Sequence, residues 1–197
     1  MPDTRRRAVD GEQRRAQIVD AAQQAIATQG FEGLRVRDIA GQVGINIATL
    51  HYYFPTKEAL VGAVAARIAR TLEPVPPVRH DDARRALVED VDRILARFEA
   101  DRSQFVVLNE VYARAGRDGN LYEVLRPSDE AWEAHLRAIF VAGREQGSFR
   151  ADLDPDGATT LVMGFFKGIV HQMDRPLSDI RRATEEMLRA MTACGPG

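Results

Sequence analysis

The sequence predicts an all-helical chain with a small three-helix N-terminal part and a larger helical C-terminal part. Three observations carry that expectation. Apolar residues recur at three- and four-residue spacing through nearly every segment. No stretch alternates apolar and polar residues for long enough to argue for a sheet. Residues 74–80, PVPPVRH, hold three prolines, cannot be helix interior, and divide the pattern in two.

Taken in order, residues 1–11 carry Pro2 and the Arg5-Arg6-Arg7 run with little to bury, which reads as a flexible basic arm. From about Glu12 to Gln29, Ile18, Ala22, Ala25 and Ile26 make one helical stripe that Gly30 stops, with Phe31 closing a small core. Val36, Ile39, Ala40 and Val43 then give a second, shorter helix a buried face and leave Arg35, Arg37 and Asp38 outside. Gly44 ends it, because glycine tolerates the left-handed conformation of a helix C-terminus. Asn46 is placed to cap a third helix, whose buried edge is Leu50 and Phe54. A connecting helix over 56–73 follows, with Leu60, Val64, Ile68 and Leu72 on one face.

The third helix leaves Ile47, Ala48, Thr49, Tyr52 and, beside them, His51 and Tyr53 exposed. This set carries no formal charge at neutral pH, yet it combines apolar groups, a hydroxyl and aromatic polar tips. Such a face suits the floor of a DNA major groove, where thymine methyls take apolar partners and base edges take small polar ones. Lys57 is a second anomaly, since a cation in the first turn of a helix opposes its dipole, and a phosphate lying there would remove the conflict.

Two short helices joined through VGI and followed by TLHYYFPTKEAL resemble the DNA-binding region of the TetR family of bacterial regulators, over roughly residues 12–72. The resemblance implies a helix-turn-helix DNA-binding domain over 12–55, the connecting helix 56–73, the Pro-rich linker 74–80, a helical ligand-binding and dimerisation domain over 81–193, and a tail 194–197. It implies that Arg37, Ile47, Ala48, Thr49 and Tyr52 approach bases, and that His51, Tyr53 and Lys57 approach phosphates. The chain departs from the family's usual pattern at His51, where tyrosine is commonest, and at Arg35, where threonine or serine is frequent. Both changes keep a group able to donate to phosphate.

Beyond the linker, Leu87, Val91, Ile94, Leu95 and Phe98 form one stripe, and Phe105, Leu108, Val111 and Tyr112 a second. A loop at Gly116–Gly119 precedes a short segment 120–126 that Pro127 should end. Ser128 would cap a longer helix through Trp132, Leu136, Ile139 and Phe140, which stops near Gly147. Asp154-Pro155-Asp156 combines a cap, a proline at the first position and an acid that complements the dipole. The helix it opens is apolar all round, so one side should meet its own domain and the other a partner. Gly164 and Gly168 would allow close approach, and a final helix over about Ser178–Thr192 is amphipathic. Val162, Gly164, Phe165, Gly168, Ile169, Ile180, Thr184, Met187, Leu188 and Met191 are therefore the expected homodimer interface.

The resemblance further implies a small-molecule effector bound in the C-terminal helices. Residues that combine apolar bodies with sparse polar tips are the candidates for its lining: Phe98, Phe105, Asn109, Tyr112, Trp132, His135, Phe166 and His171. Asn109 and His135 stand out, because each is a polar group on an apolar face with no partner apparent in the sequence. The lack of a basic cluster in these helices favours a neutral or apolar ligand.

Composition sets the outer limits. At 45% hydrophobic and 28% charged residues, the 197-residue chain is ordinary for a globular protein. No apolar run approaches the roughly 20 residues that span a bilayer, and the arginine-rich start lacks the apolar segment of a secretion signal, so the cytoplasm is the expected location with no membrane partner. A single cysteine, Cys194, excludes an internal disulfide and any cysteine-based zinc site. His51, His80, His135 and His171 show no metal-ligand spacing, and no nucleophile or phosphate-loop motif appears, so neither metal, cofactor nor enzymatic activity is expected. Residues 1–60 hold eight Lys and Arg against seven Asp and Glu, a balance of only +1. A protein held to double-stranded DNA by bulk charge would be more basic. Positive charge must instead be local, at Arg5, Arg6, Arg7, Arg14, Arg15, Arg35, Arg37 and Lys57, and doubled by dimerisation. The sequence and the resemblance together lead to the expectation of a ligand-released repressor that binds a palindromic operator as a homodimer. The alternatives are a DNA-binding dimer without an effector, and an enzyme or carrier built on the helical body.

Overall fold

A computed structural model of the chain describes the backbone of residues 3–72, 82–169, 171–172 and 174–192, and side chains within these from residue 10 onward, except those of 71 and 72. Nine helices are present among the described residues: α1 (Asp3–Gly33), α2 (Val36–Val43), α3 (Ile47–Tyr53), α4 (Lys57–Leu72), α5 (Ala83–Ala100), α6 (Arg102–Ala115), α7 (Gly119–Glu145), α8 (Pro155–Ile169) and α9 (Leu177–Met191). The only β pairing among these residues is an isolated antiparallel bridge between Phe149 and Thr192. The expected Pro-rich linker 74–80 and the tail 194–197 with Cys194 lie outside the described residues.

The described residues group into two compact units. The first comprises residues up to 71 together with 106–125, and the second 72–105 and 126 onward. Residues 106–125, assigned by the sequence pattern to the C-terminal body, thus group with the N-terminal unit.

In the first unit, Ile18, Ala22 and Ile26 of α1 pack with Phe31, Leu34, Ile39, Ala40, Leu50, Phe54, Leu60 and Val64, all buried. Burying side chains of this kind stabilises by roughly 1.5–3 kcal/mol each, so Leu50 and Phe54 supply most of what holds the seven-residue α3 down. Two features of α1 differ from expectation. It begins at Asp3, so helix takes the place of most of the expected arm over 1–11, where Arg5, Arg6, Arg7 and Ala8 are good helix formers. Its regular geometry breaks at Gly30, with φ 66° and ψ −179°.

The α2 C-terminus is closed by Gly44 at φ 70°, whose N–H reaches back to the carbonyls of Ala40 and Gly41. Asn46 then caps α3, its side chain accepting from the Thr49 N–H at 2.7 Å. A Cβ on Gly44 would meet nothing within 4 Å, so the glycine is required by its backbone conformation and not by crowding.

The second unit is built from α5, the first turn of α6, most of α7, and α8 and α9. Asp82 caps α5 through the Arg84 and Arg85 N–H groups at 3.0 and 3.2 Å. Asp154 caps α8 in the expected manner, accepting from Asp156 and Gly157 at 3.2 and 3.1 Å. Its core includes Leu87, Val91, Leu95, Phe98, Leu136, Phe140, Phe149, Val162 and Phe166. Gly143 is needed at the end of α7 because a Cβ there would lie 2.2 Å from the Phe149 ring. The expected break at Pro127 does not occur: α7 runs through it, and the cap is not Ser128 but Asp118, which accepts from Asn120 and Leu121 at 3.1 and 3.3 Å. Pro127 is exposed, so the carbonyl deprived of its donor can be hydrated.

Gly44→Ala is expected to cost about 1–2 kcal/mol, the penalty of a left-handed non-glycine residue. Gly44→Asn should cost less. Denaturant unfolding monitored in the first unit checks both, and equal stability of Gly44→Ala and wild type would contradict the assignment.

Candidate nucleic-acid interface

The helix-turn-helix is assembled from α2, the turn at Gly44–Asn46, and α3. On α3, Leu50 points into the core at 1% exposure, while Tyr52 is 82% exposed. Ile47 is 38% exposed, Ala48 and His51 are exposed, and Thr49 and Tyr53 are half-buried. The Tyr52 and Tyr53 rings meet edge to face at 5.3 Å. Arg35 and Arg37, before and within the first turn of α2, are both exposed, as is Asn46. Of the expected DNA-facing residues, Arg35, Arg37, Asn46, Ile47, Ala48, His51 and Tyr52 are thus exposed, Thr49, Tyr53 and Lys57 half-buried, and α3 itself carries no carboxylate.

Two of these residues have partners the sequence did not reveal. Lys57 Nζ donates to the Phe31 carbonyl at 3.0 Å, so part of its conflict with the α4 dipole is answered inside the chain. Two of its three N–H donors remain. His51 Nδ1 lies 3.2 Å from the Pro55 carbonyl. Because a carbonyl only accepts, Nδ1 carries the proton, and a neutral His51 presents a lone pair at Nε2 instead of a donor. The expected donation from a neutral His51 to phosphate therefore requires that the ring give up this contact.

Two other cations expected to serve DNA, the half-buried Arg14 and the exposed Arg15, each bond a main-chain carbonyl. Arg14 Nη1 donates to the Val43 carbonyl at 3.3 Å, and Arg15 Nη1 to the Tyr53 carbonyl at 3.1 Å. The only available sequence signal was their position on the same helix as the Ile18–Ala22 stripe, one turn ahead of it.

The matching N-terminal model, described as bacterial regulatory proteins of the tetR family, covers residues 18–64, and the BetI-type transcriptional repressor C-terminal model covers residues 81–193, more than half of the chain. The chain belongs to the TetR family. The repressor DhaR of Mycobacterium sp. (strain GP1) is 26% identical over 173 residues, 81% of each chain. The regulator RutR of Escherichia coli (strain K12) is 35% identical over 88 residues, 44% of this chain and 42% of its own length. Among solved structures, a protein described as a transcriptional regulator from Saccharomonospora viridis, in complex with choline, shares the fold with a TM-score of 0.79 at 20% identity, over 93% of this chain and all of the other. This TetR-family protein is accordingly a transcriptional regulator, in a family of DNA-binding proteins and not of enzymes. No described helix is long and apolar enough to cross a membrane.

The residues expected to line an effector pocket are distributed as follows. Phe98 and Phe105 are buried and meet edge to face at 5.1 Å. Trp132 lies 6.5 Å from Phe166, ring centre to ring centre. His171 is exposed. Asn109 and Tyr112 belong to the first unit, and the Asn109 Oδ1 atom is buried without a hydrogen-bond partner among the described residues. A cleft of about 240 Å³ between α1 and α2 is bordered by Gln24, Thr28, Gln29, Arg35, Asp38 and Gln42, and by none of these eight residues.

His135, singled out for its missing partner, has one: its Nε2 bonds the Asp90 carboxylate, which also pairs with Arg93. Burial and then the Arg93 charge push the imidazole below its ordinary value. The neutral ring donates Nε2–H to Asp90. The signal for Asp90 was an acid placed beside the apolar stripe Leu87, Val91, Ile94, where a buried partner is required. Lys167 pairs with Asp129 at 2.8 Å, a contact the sequence pattern also left unseen.

The expected dimer residues divide in two. Val162, Ile169, Ile180, Thr184 and Met191 are buried within the second unit, because they lie on the faces by which α8 and α9 pack into it. Met187 and Leu188 are half-buried. Gly164 is exposed, Phe165 and Gly168 are half-buried, and Leu161, which was not assigned to the interface, is 57% exposed.

Asp90→Ala would leave the buried His135 N–H without an acceptor, at a cost of about 1–3 kcal/mol. Urea unfolding of the second unit measures this, and an unchanged midpoint would show the pair to be incidental.

Proposed function

We propose that the protein is a cytoplasmic repressor that binds a palindromic operator as a homodimer and is released by a small molecule. In this reading α3 enters the major groove. Arg37, Ile47, Ala48, Thr49 and Tyr52 meet base edges, while Arg35, Tyr53 and Lys57 meet phosphates, as does His51 once its ring gives up the Pro55 carbonyl, and Asn46 holds the helix start. The observation that carries the reading is a recognition helix whose outward face is uncharged at neutral pH, with Tyr52 82% exposed. A large aromatic surface left in water needs a reason, and base edges supply one.

Dimerisation places two such helices in successive major grooves about 34–36 Å apart, or a multiple of that. The line Leu161, Gly164, Phe165 and Gly168 on α8, exposed at its first two residues and half-buried at the others, is the face offered to a second copy, together with the half-buried Met187 and Leu188 of α9. A Cβ at either glycine would meet nothing within 4 Å inside the subunit. An effector releases the DNA only by favouring a conformation with the wrong spacing, by about 1–3 kcal/mol or more. That the S. viridis protein was solved with choline supports a small-molecule site in this fold, and the paired aromatics of the second unit suit a ligand with apolar surface.

Thr49→Ala and Tyr52→Ala are expected to weaken binding to the operator while leaving binding to unrelated duplexes unchanged. Lys57→Ala should weaken binding to every sequence and reduce the salt slope by about 1. Fluorescence anisotropy across a salt series separates the two patterns, and uniform losses for all three variants would remove the base-reading assignment. Leu161→Arg is expected to dissociate the dimer in sedimentation and to lower operator affinity with it; a dimer that survives the change would place the interface elsewhere.

A further inference from the structure

Arg14 and Arg15 sit next to one another on α1, and each reaches the end of a different helix of the reading motif. Arg14 Nη1 donates to the carbonyl of Val43, the last residue of α2, at 3.3 Å. Arg15 Nη1 donates to the carbonyl of Tyr53, the last residue of α3, at 3.1 Å. The Arg15 guanidinium also lies over the Phe54 ring, 4.3 Å from its centre. These helices have only eight and seven residues. Their terminal carbonyls are the negative ends of their dipoles, where a cation is favourable.

We infer that Arg14 and Arg15 are positioning residues that set the angle of α3 against α1 and α2, and are not phosphate ligands. The inference rests on the reading that α3 meets base edges. Arg15 has the larger part, because it acts on the recognition helix directly and in two ways at once. A planar guanidinium can donate to Tyr53 O while its face covers Phe54; a lysine ammonium can do the first but has no face to stack. With Asn46 accepting from Thr49 N–H at the other end, α3 is fixed at both termini from within the chain. Loosening one end leaves the helix surface and its charge toward DNA unchanged but spreads its orientation. Sequence discrimination should then suffer, and general attraction to the backbone should not.

The test uses the full chain and two duplexes, one selected by the wild-type protein from a random pool and one scrambled. Arg15→Ala is expected to lose roughly tenfold on the selected duplex, the size of a lost terminal cation and ring contact together. Binding to the scrambled duplex and the slope of log affinity against log salt should stay at wild-type values. Arg15→Lys should fall between, and Arg14→Ala should lose less than Arg15→Ala. Hydrogen exchange should quicken at α3 amides in Arg15→Ala and Arg15→Lys while the α1 core amides remain protected. Equal losses on both duplexes, with a slope smaller by about 0.9 for each arginine removed, would make these residues phosphate ligands and overturn the proposal. So would α3 exchange and selected-duplex affinity that match wild type. A wild-type protein that does not separate the two duplexes would instead remove the base-reading assignment, and the exchange measurement would still decide the role of Arg15.

Discussion

A seven-residue helix cannot hold itself together in water. Helices below about 12–15 residues are marginal even in favourable sequences, because nucleation consumes more conformational entropy than a turn or two of hydrogen bonds returns. Everything in the first unit can be understood as the answer to that constraint for α3. Asn46 satisfies one of its free N–H groups, that of Thr49; Leu50 and Phe54 are buried beneath it, and Arg15 meets its last carbonyl. The outer face is left without structural duties. That freedom is what allows Ile47, Ala48, Thr49 and Tyr52 to be chosen for contact with something else.

Charge follows the same logic. The N-terminal region is only weakly charged, and Arg14, Arg15 and Lys57 each commit one donor to a main-chain carbonyl. In the proposed reading, DNA binding leans on fit in the groove more than on counterion release. Binding of this kind has weaker affinity for arbitrary sequence, and a larger share of its free energy resides in base contacts.

The legible parts of the sequence were those where a local rule has one solution. Gly44 in the left-handed region, Asn46 and Asp154 as caps, and the apolar stripes of α1, α2 and α8 all follow from backbone geometry within a few residues. What could not be read was set by partners far along the chain. Asp90 for His135 lies 45 residues away, Phe31 for Lys57 lies 26 away, and Tyr53 for Arg15 lies 38 away. A polar residue on an apolar face announces that it needs a partner but not which one. Pro127 misled for the opposite reason, since α7 continues through this exposed proline where the local rule expects an end. The all-apolar α8 pattern called for burial on more than one side, and periodicity alone could not say which side belonged to the subunit. The structure gives Val162, Phe166 and Ile169 to the interior and leaves Leu161, Gly164 and Phe165 toward the outside.

The most direct test of the view that the α3 surface reads base edges is a scan of the operator in which each thymine is replaced by uracil, removing only the 5-methyl group in the major groove. Loss of about 0.8 kcal/mol, the value of one apolar carbon withdrawn from contact, is expected at one or two symmetry-related positions in each half-site. It should be abolished by shortening the side chains of Ile47 or Tyr52. Uniform affinity across the whole scan would contradict that view.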